Sequence, residues 1–152
     1  MKIRDASGWT MLIFGVLALL LGLVGLIRPE ILLSILGFEV VDRAQRAASD
    51  YTIVFMMASS MASFNMGIYY ILAAINDVKT FYRWTVPFRV VTFIVFTTIV
   101  IERIAPINFL CVGVWELLGA ISTGVALYIE DLKIRETPVK ESLRKKKIKR
   151  SE

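Results

Sequence analysis

Residues Ile107–Ile129 read INFLCVGVWELLGAISTGVALYI. The run is apolar almost throughout and, at about 1.5 Å of rise per residue, is long enough to cross a hydrocarbon core ~30 Å thick. Near its middle stands Glu116. A carboxylate at that depth is costly and needs compensation inside the protein. The remaining chain is therefore read for further spans and for groups that reach Glu116.

The chain has 152 residues, of which 57% are hydrophobic. Ordinary globular proteins hold roughly 45–50%, so composition indicates a small, single-domain membrane protein. Met1–Trp9 is short and basic through Lys2 and Arg4, and no charge follows between Ala6 and Ile27. A signal peptide shares this layout, but its apolar core is about 7–15 residues and ends in a small-residue cleavage site. This run is longer and stops at Arg28-Pro29-Glu30 without such a site, which predicts a retained first span over about residues 9–27. Pro29–Gly37, PEILLSILG, opens on proline and closes on glycine, the polarity of a short helix. It is too short to cross and is expected at the interface or as a re-entrant turn. Glu39–Asp50 is polar, and Asp42, Arg43 and Arg46 read as a solvated extramembrane loop.

Tyr51–Ile75 lies uncharged between Asp50 and Asp77 and is the second span. Asn76–Trp84 is an aromatic and basic connection, as membrane interfaces favour. The third span is expected over about 84–102, with Pro87 in its first turn, where proline is tolerated. The fourth covers about 107–129. The fold class is all-α, an integral membrane four-helix bundle (residues 1–131). A short interfacial helix follows the first span, and a basic C-terminal tail occupies residues 132–152.

Four spans put both termini on one side. That side carries fourteen Lys and Arg against four on the other (Arg28, Arg43, Arg46 and Arg103), so both termini are expected in the cytoplasm, in a prokaryotic plasma membrane. The tail dominates this balance, because nine of the eighteen basic residues follow Asp131. Lys145, Lys146, Lys147, Lys149 and Arg150 form the kind of cluster that contacts anionic lipid headgroups. Nucleic acid is not an expected partner, since no aromatic residues are interleaved for base stacking.

Small residues recur at helical spacing as Gly15, Gly22 and Gly25 in the first span and as Ser59, Ser63 and Gly67 in the second. Within a membrane such seams let backbones approach closely, a packing role that outweighs a ligand groove. Met56, Met57, Met61 and Met66 read as packing too. The chain has no histidine and a single cysteine, Cys111, so it lacks the side chains that metal and haem sites and most acid–base catalysts use. No cofactor, metal or catalytic residue is expected.

Depth brings three polar residues together. Glu116 lies about 15 Å below the outer turn at Pro106, Arg89 roughly 8–10 Å above the cytoplasmic edge, and Asn65 about 21 Å below the outer entry at Tyr51. Asn65, Arg89 and Glu116 thus converge if their helices adjoin. An ion pair that fixes helix order is the first reading, with Arg89 either inward or snorkelling to the headgroups. A polar pocket for a small molecule or lipid is the second. No reaction class follows from an isolated Glu–Arg pair. The expected function is that of a non-enzymatic structural or accessory subunit, packing against itself or other membrane subunits. The alternative is a binder or transporter of a small apolar or amphipathic molecule or lipid through Asn65, Arg89 and Glu116.

Gly22-Leu23-Val24-Gly25-Leu26-Ile27-Arg28-Pro29, the entry Trp84-Thr85-Val86-Pro87-Phe88-Arg89 and four spans over nearly the whole chain resemble the small four-helix membrane proteins of the DoxX-like group. The resemblance implies a four-helix membrane architecture and carries over no residue role. Four- or five-helix sterol isomerases are disfavoured by the lack of histidine and of a paired acidic constellation.

Overall fold

In a computed structural model, residue 3 and residues 5–148 are described, with side chains up to residue 136. The described chain is all-helical. Its five helices are α1 (Ala6–Ile27), α2 (Pro29–Ile35), α3 (Thr52–Ile75), α4 (Lys79–Ile101) and α5 (Leu110–Ile148), with single 3₁₀ turns at Arg43–Gln45 and Ile107–Phe109. Four segments are long and apolar enough to cross a membrane: Ala6–Ile27, Thr52–Ile75, Lys79–Ile101 and Ile107–Glu136. Large apolar side chains on all four point outward, among them Leu20, Phe55, Ile94 and Leu118. The buried set mixes large side chains such as Met11, Leu33 and Tyr82 with small or polar ones such as Ala120, Ser60 and Thr123.

Helix ends explain the short connections. α2 begins with Pro29 at its first position, where the missing N–H is no loss. It ends in a Schellman motif: the Gly37 amide donates to the Ser34 carbonyl and the Phe38 amide to the Leu33 carbonyl, with Gly37 at φ +81°. The same device ends α3 and α4, but with Asp77 (φ 51°) and Arg103 (φ 58°) in the left-handed position. Val78 and Ile104 then donate back to the Ala73 and Ile99 carbonyls.

The α3 turn is therefore complete by Val78, and α4 starts at Lys79, earlier than the sequence suggested. Pro87 consequently lies in the interior of α4, not in its first turn. It removes one backbone hydrogen bond from the helix, a defect that transmembrane helices accommodate through neighbouring groups.

α1 packs along α3, α4 along α5, and α1 also touches α5; α3 and α4 barely meet beyond their turn. The α1–α3 contact is made by backbone approach. A Cβ built on Gly22 would fall 2.5 Å from the Phe64 amide nitrogen, and one on Gly67 2.5 Å from that of Leu19. Gly15 faces the Gly67 carbonyl, Gly25 faces Ser60, and the Ser63 hydroxyl donates to the Ala18 carbonyl. Ser59, expected in this seam, is exposed and bonds its own helix at Met56; Ser60 holds the buried place instead. The two seams face each other within one chain.

The four long helices converge near the α3–α4 turn, where Met11, Ala73, Ala74, Tyr82 and Leu127 form the core. At the opposite end, Gly37 packs on Asn108, and Phe109 meets Phe38 edge-on and Phe96 at a tilt, so the loop after α2 covers the α4–α5 turn. There Arg43 donates to Glu30, and that hydrogen bond holds the Glu30 carboxyl below the usual carboxylate range. Lys145, Lys146 and Lys147 lie on the helical backbone of α5, whereas Lys149 and Arg150 fall outside the described residues.

Candidate functional site

Because α3 and α4 diverge above their turn, a cleft of about 550 Å³ opens between them. Ser63, Met66 and Tyr70 form its α3 wall, and Phe81, Trp84, Thr85, Phe88, Thr92 and Phe96 its α4 wall. Ala18 of α1, Arg89 of α4 and Glu116 of α5 close the interior. Phe88 and Trp84, 71% and 63% exposed, stand where the cleft meets the outside. Its size is that of small-molecule sites, about 300–1,000 Å³.

Arg89 is turned inward and only 3% exposed, so it does not snorkel. Its guanidinium lies over the Phe14 ring at 4.3 Å and the Tyr70 ring at 4.8 Å. The space it occupies exists because residue 119 is glycine: a Cβ there would collide with Arg89 Nη1 and fall 2.8 Å from the Phe14 ring. Behind this seat, Phe14 and Trp115 pack with ring centres 4.4 Å apart.

Glu116 approaches Arg89 with Oε2 3.6 Å from Nε. That is an ion pair but not a hydrogen bond. None of the three guanidinium nitrogens has a hydrogen-bond partner among the described residues. The Arg89–Glu116 convergence expected from depth is thus present. Asn65 does not join it: it is partly buried on α3, off the cleft wall, and its side chain forms no hydrogen bond among the described residues.

A second polar group lies at the convergence end. Lys79 Nζ reaches Glu130 (2.8 Å), Asp5 (2.9 Å) and Asp77 (3.2 Å) and donates to the Ser7 hydroxyl (2.8 Å). Ser7 donates to Glu130 from both its amide and its hydroxyl, at 2.9 and 2.8 Å. Arg83 pairs with Asp131 beside it. Every member of this group has a partner, which marks it as a clasp joining α1, α4 and α5. Glu130 and Asp131 lie just past Ile129, the expected end of the fourth span, and spacing alone does not disclose their partners on α1 and α4. Among the described residues, no three His, Cys, Asp or Glu side chains come together as metal ligands.

Comparison with protein-family models, with curated proteins and with solved structures finds no match.

Proposed function

We propose that this chain is a multispanning membrane protein that takes an amphipathic molecule from the bilayer into the cleft between α3 and α4. The observation that carries the reading is Arg89: a buried cation without a hydrogen bond among the described residues, at the inner end of an aromatic-walled opening of ligand size. A buried polar group left unpaired costs about 1–3 kcal/mol, more when charged, and binding of a complementary group removes that cost. In this reading the four spans form a bundle, α2 lies at the membrane interface, and both termini and the basic tail are cytoplasmic, where the lysines contact anionic lipid.

Assembly as an accessory subunit through the small-residue seams is less well supported, because those of α1 and α3 are already opposed within the chain. The lining of aromatic rings, methionine, hydroxyls and one Arg–Glu pair suits holding a molecule and assigns no reaction.

The test is a cavity-filling variant. Thr92→Trp places an indole in the cleft from the α4 wall. Native mass spectrometry of protein extracted in mild detergent should show a bound amphiphile on the wild type and at least a several-fold loss on the variant, with circular dichroism unchanged. An unliganded wild type, or equal loading of both proteins, would count against the cleft as a binding site.

A further inference from the structure

The chemistry around Arg89 restricts what its partner is. A guanidinium does not lose its proton in proteins, so the cation is permanent. Its planar fork presents five donors, and at Arg89 none is used among the described residues. Gly119 behind it and the Phe14 and Tyr70 rings beside it hold the group in place, so it is preorganised and does not need to be drawn in. The nearest carboxylate, Glu116, stands too far for a hydrogen bond and is the more exposed of the two, with 26% of its side chain accessible against 3%. It is a loose counter-ion.

Three head-group chemistries can be compared. A neutral hydroxyl satisfies one donor and none of the charge. A quaternary ammonium brings a second cation towards Arg89. A carboxylate or phosphate oxyanion engages the fork with two parallel hydrogen bonds and neutralises it. The aromatic walls, opening outward at Trp84 and Phe88, accept an apolar chain running away from that head.

Resting on the binding role proposed above, we infer that the ligand is an amphiphile with an oxyanion head, a carboxylate or a phosphate ester, which displaces Glu116 as the counter-ion of Arg89. Glu116 is then a competitor of the ligand, not a contact for it. Removing its charge strengthens binding.

The experiment titrates the full-length detergent-solubilised protein with dodecanoate, dodecyl phosphate and dodecanol, following bound adducts by native mass spectrometry. Wild type should hold at least one of the two anions roughly tenfold tighter than the alcohol, the scale of one charge-assisted hydrogen bond. Arg89→Gln should bring the anions down to the level of the alcohol. Glu116→Gln should tighten the anions several-fold and leave the alcohol unchanged. This gain is the decisive reading, because a poorly folded protein loses affinity and does not acquire it.

Equal binding of all three probes by wild type, all abolished by Thr92→Trp, would overturn the oxyanion head while sparing the cleft. Weaker anion binding by Glu116→Gln would overturn the displacement of Glu116. Binding of none of the probes to wild type would remove both the cleft reading and this one. A preference for dodecyl phosphate identifies a phospholipid-like head, and a preference for dodecanoate a fatty-acid head.

Discussion

Arg89 keeps its place through a residue that has no side chain. Gly119 lies one helical turn beyond Glu116 on α5, and any Cβ there would collide with Nη1 and with the Phe14 ring. Gly119→Ala is therefore expected to cost about 1–3 kcal/mol, the range for overpacking. Part of that cost should vanish when the guanidinium is absent. In an Arg89→Met background the same substitution meets only Phe14, so reversible unfolding in detergent should give a coupling energy of about 1 kcal/mol across the double-mutant cycle. Strict additivity would show that Gly119 and Arg89 are independent. Glu116 and Arg89 were legible as lone charges in apolar runs, because rise per residue fixes depth. Rotation was not legible for Asn65. Two residues along a helix turn about 200°, so a residue two from Ser63 leaves the cleft face although its depth is right. Gly119 was hidden for another reason: a glycine in a transmembrane helix reads as a packing residue until its neighbour is known.

Helices α1 and α3 depend on backbone contact, and the glycines are not equivalent in it. At Gly67 an added Cβ would meet the Leu19 amide nitrogen at 2.5 Å and the Gly15 carbonyl oxygen at 2.7 Å. Neither atom can move without its helix. At Gly124 the nearest atom is Val86 Cγ1 at 3.5 Å, an ordinary contact. Gly67→Ala should thus destabilise by about 1–3 kcal/mol, whereas Gly124→Ala should be neutral or stabilise by up to about 1 kcal/mol through helix propensity. Thermal unfolding followed by circular dichroism separates the two, and equal midpoints would contradict the close α1–α3 approach. The existence of a small-residue seam was legible from spacing. Its register on α3 was not, since Ser59 and Ser60 are adjacent and both lie within one helical turn of Ser63, at spacings of four and three. The start of α4 was misplaced for a related reason. Asp77 and Arg103 take a left-handed turn position that usually signals itself as glycine.

Across the whole molecule the four long helices converge at one end, while α3 and α4 stand apart at the cleft. The core around Tyr82 and the clasp of Ser7, Lys79 and Glu130 bring α1, α3, α4 and α5 together. Above them α3 and α4 separate, and the cleft lies between them. Glu130 is the member with most to lose. It accepts from the Ser7 amide, the Ser7 hydroxyl and Lys79, with only 17% of its side chain exposed. Glu130→Ala leaves the first-turn amide of α1 without its acceptor and one carboxylate fewer around Lys79, which should cost about 1–3 kcal/mol. Arg83 also bridges α4 to α5, through Asp131, but both side chains are about half exposed, at 57% and 44%, and Arg83→Ala should cost no more than about 1 kcal/mol. Hydrogen exchange adds a spatial readout to the unfolding measurement. In Glu130→Ala the amides from Ser7 to Met11 should lose protection, while those of α3 beside Gly15 and Gly22 keep theirs. Protection lost uniformly along α1 and α3 would mean that the clasp and the glycine seam open as one unit. An Arg83→Ala cost equal to that of Glu130→Ala would mean that charge count, not burial, holds this end together.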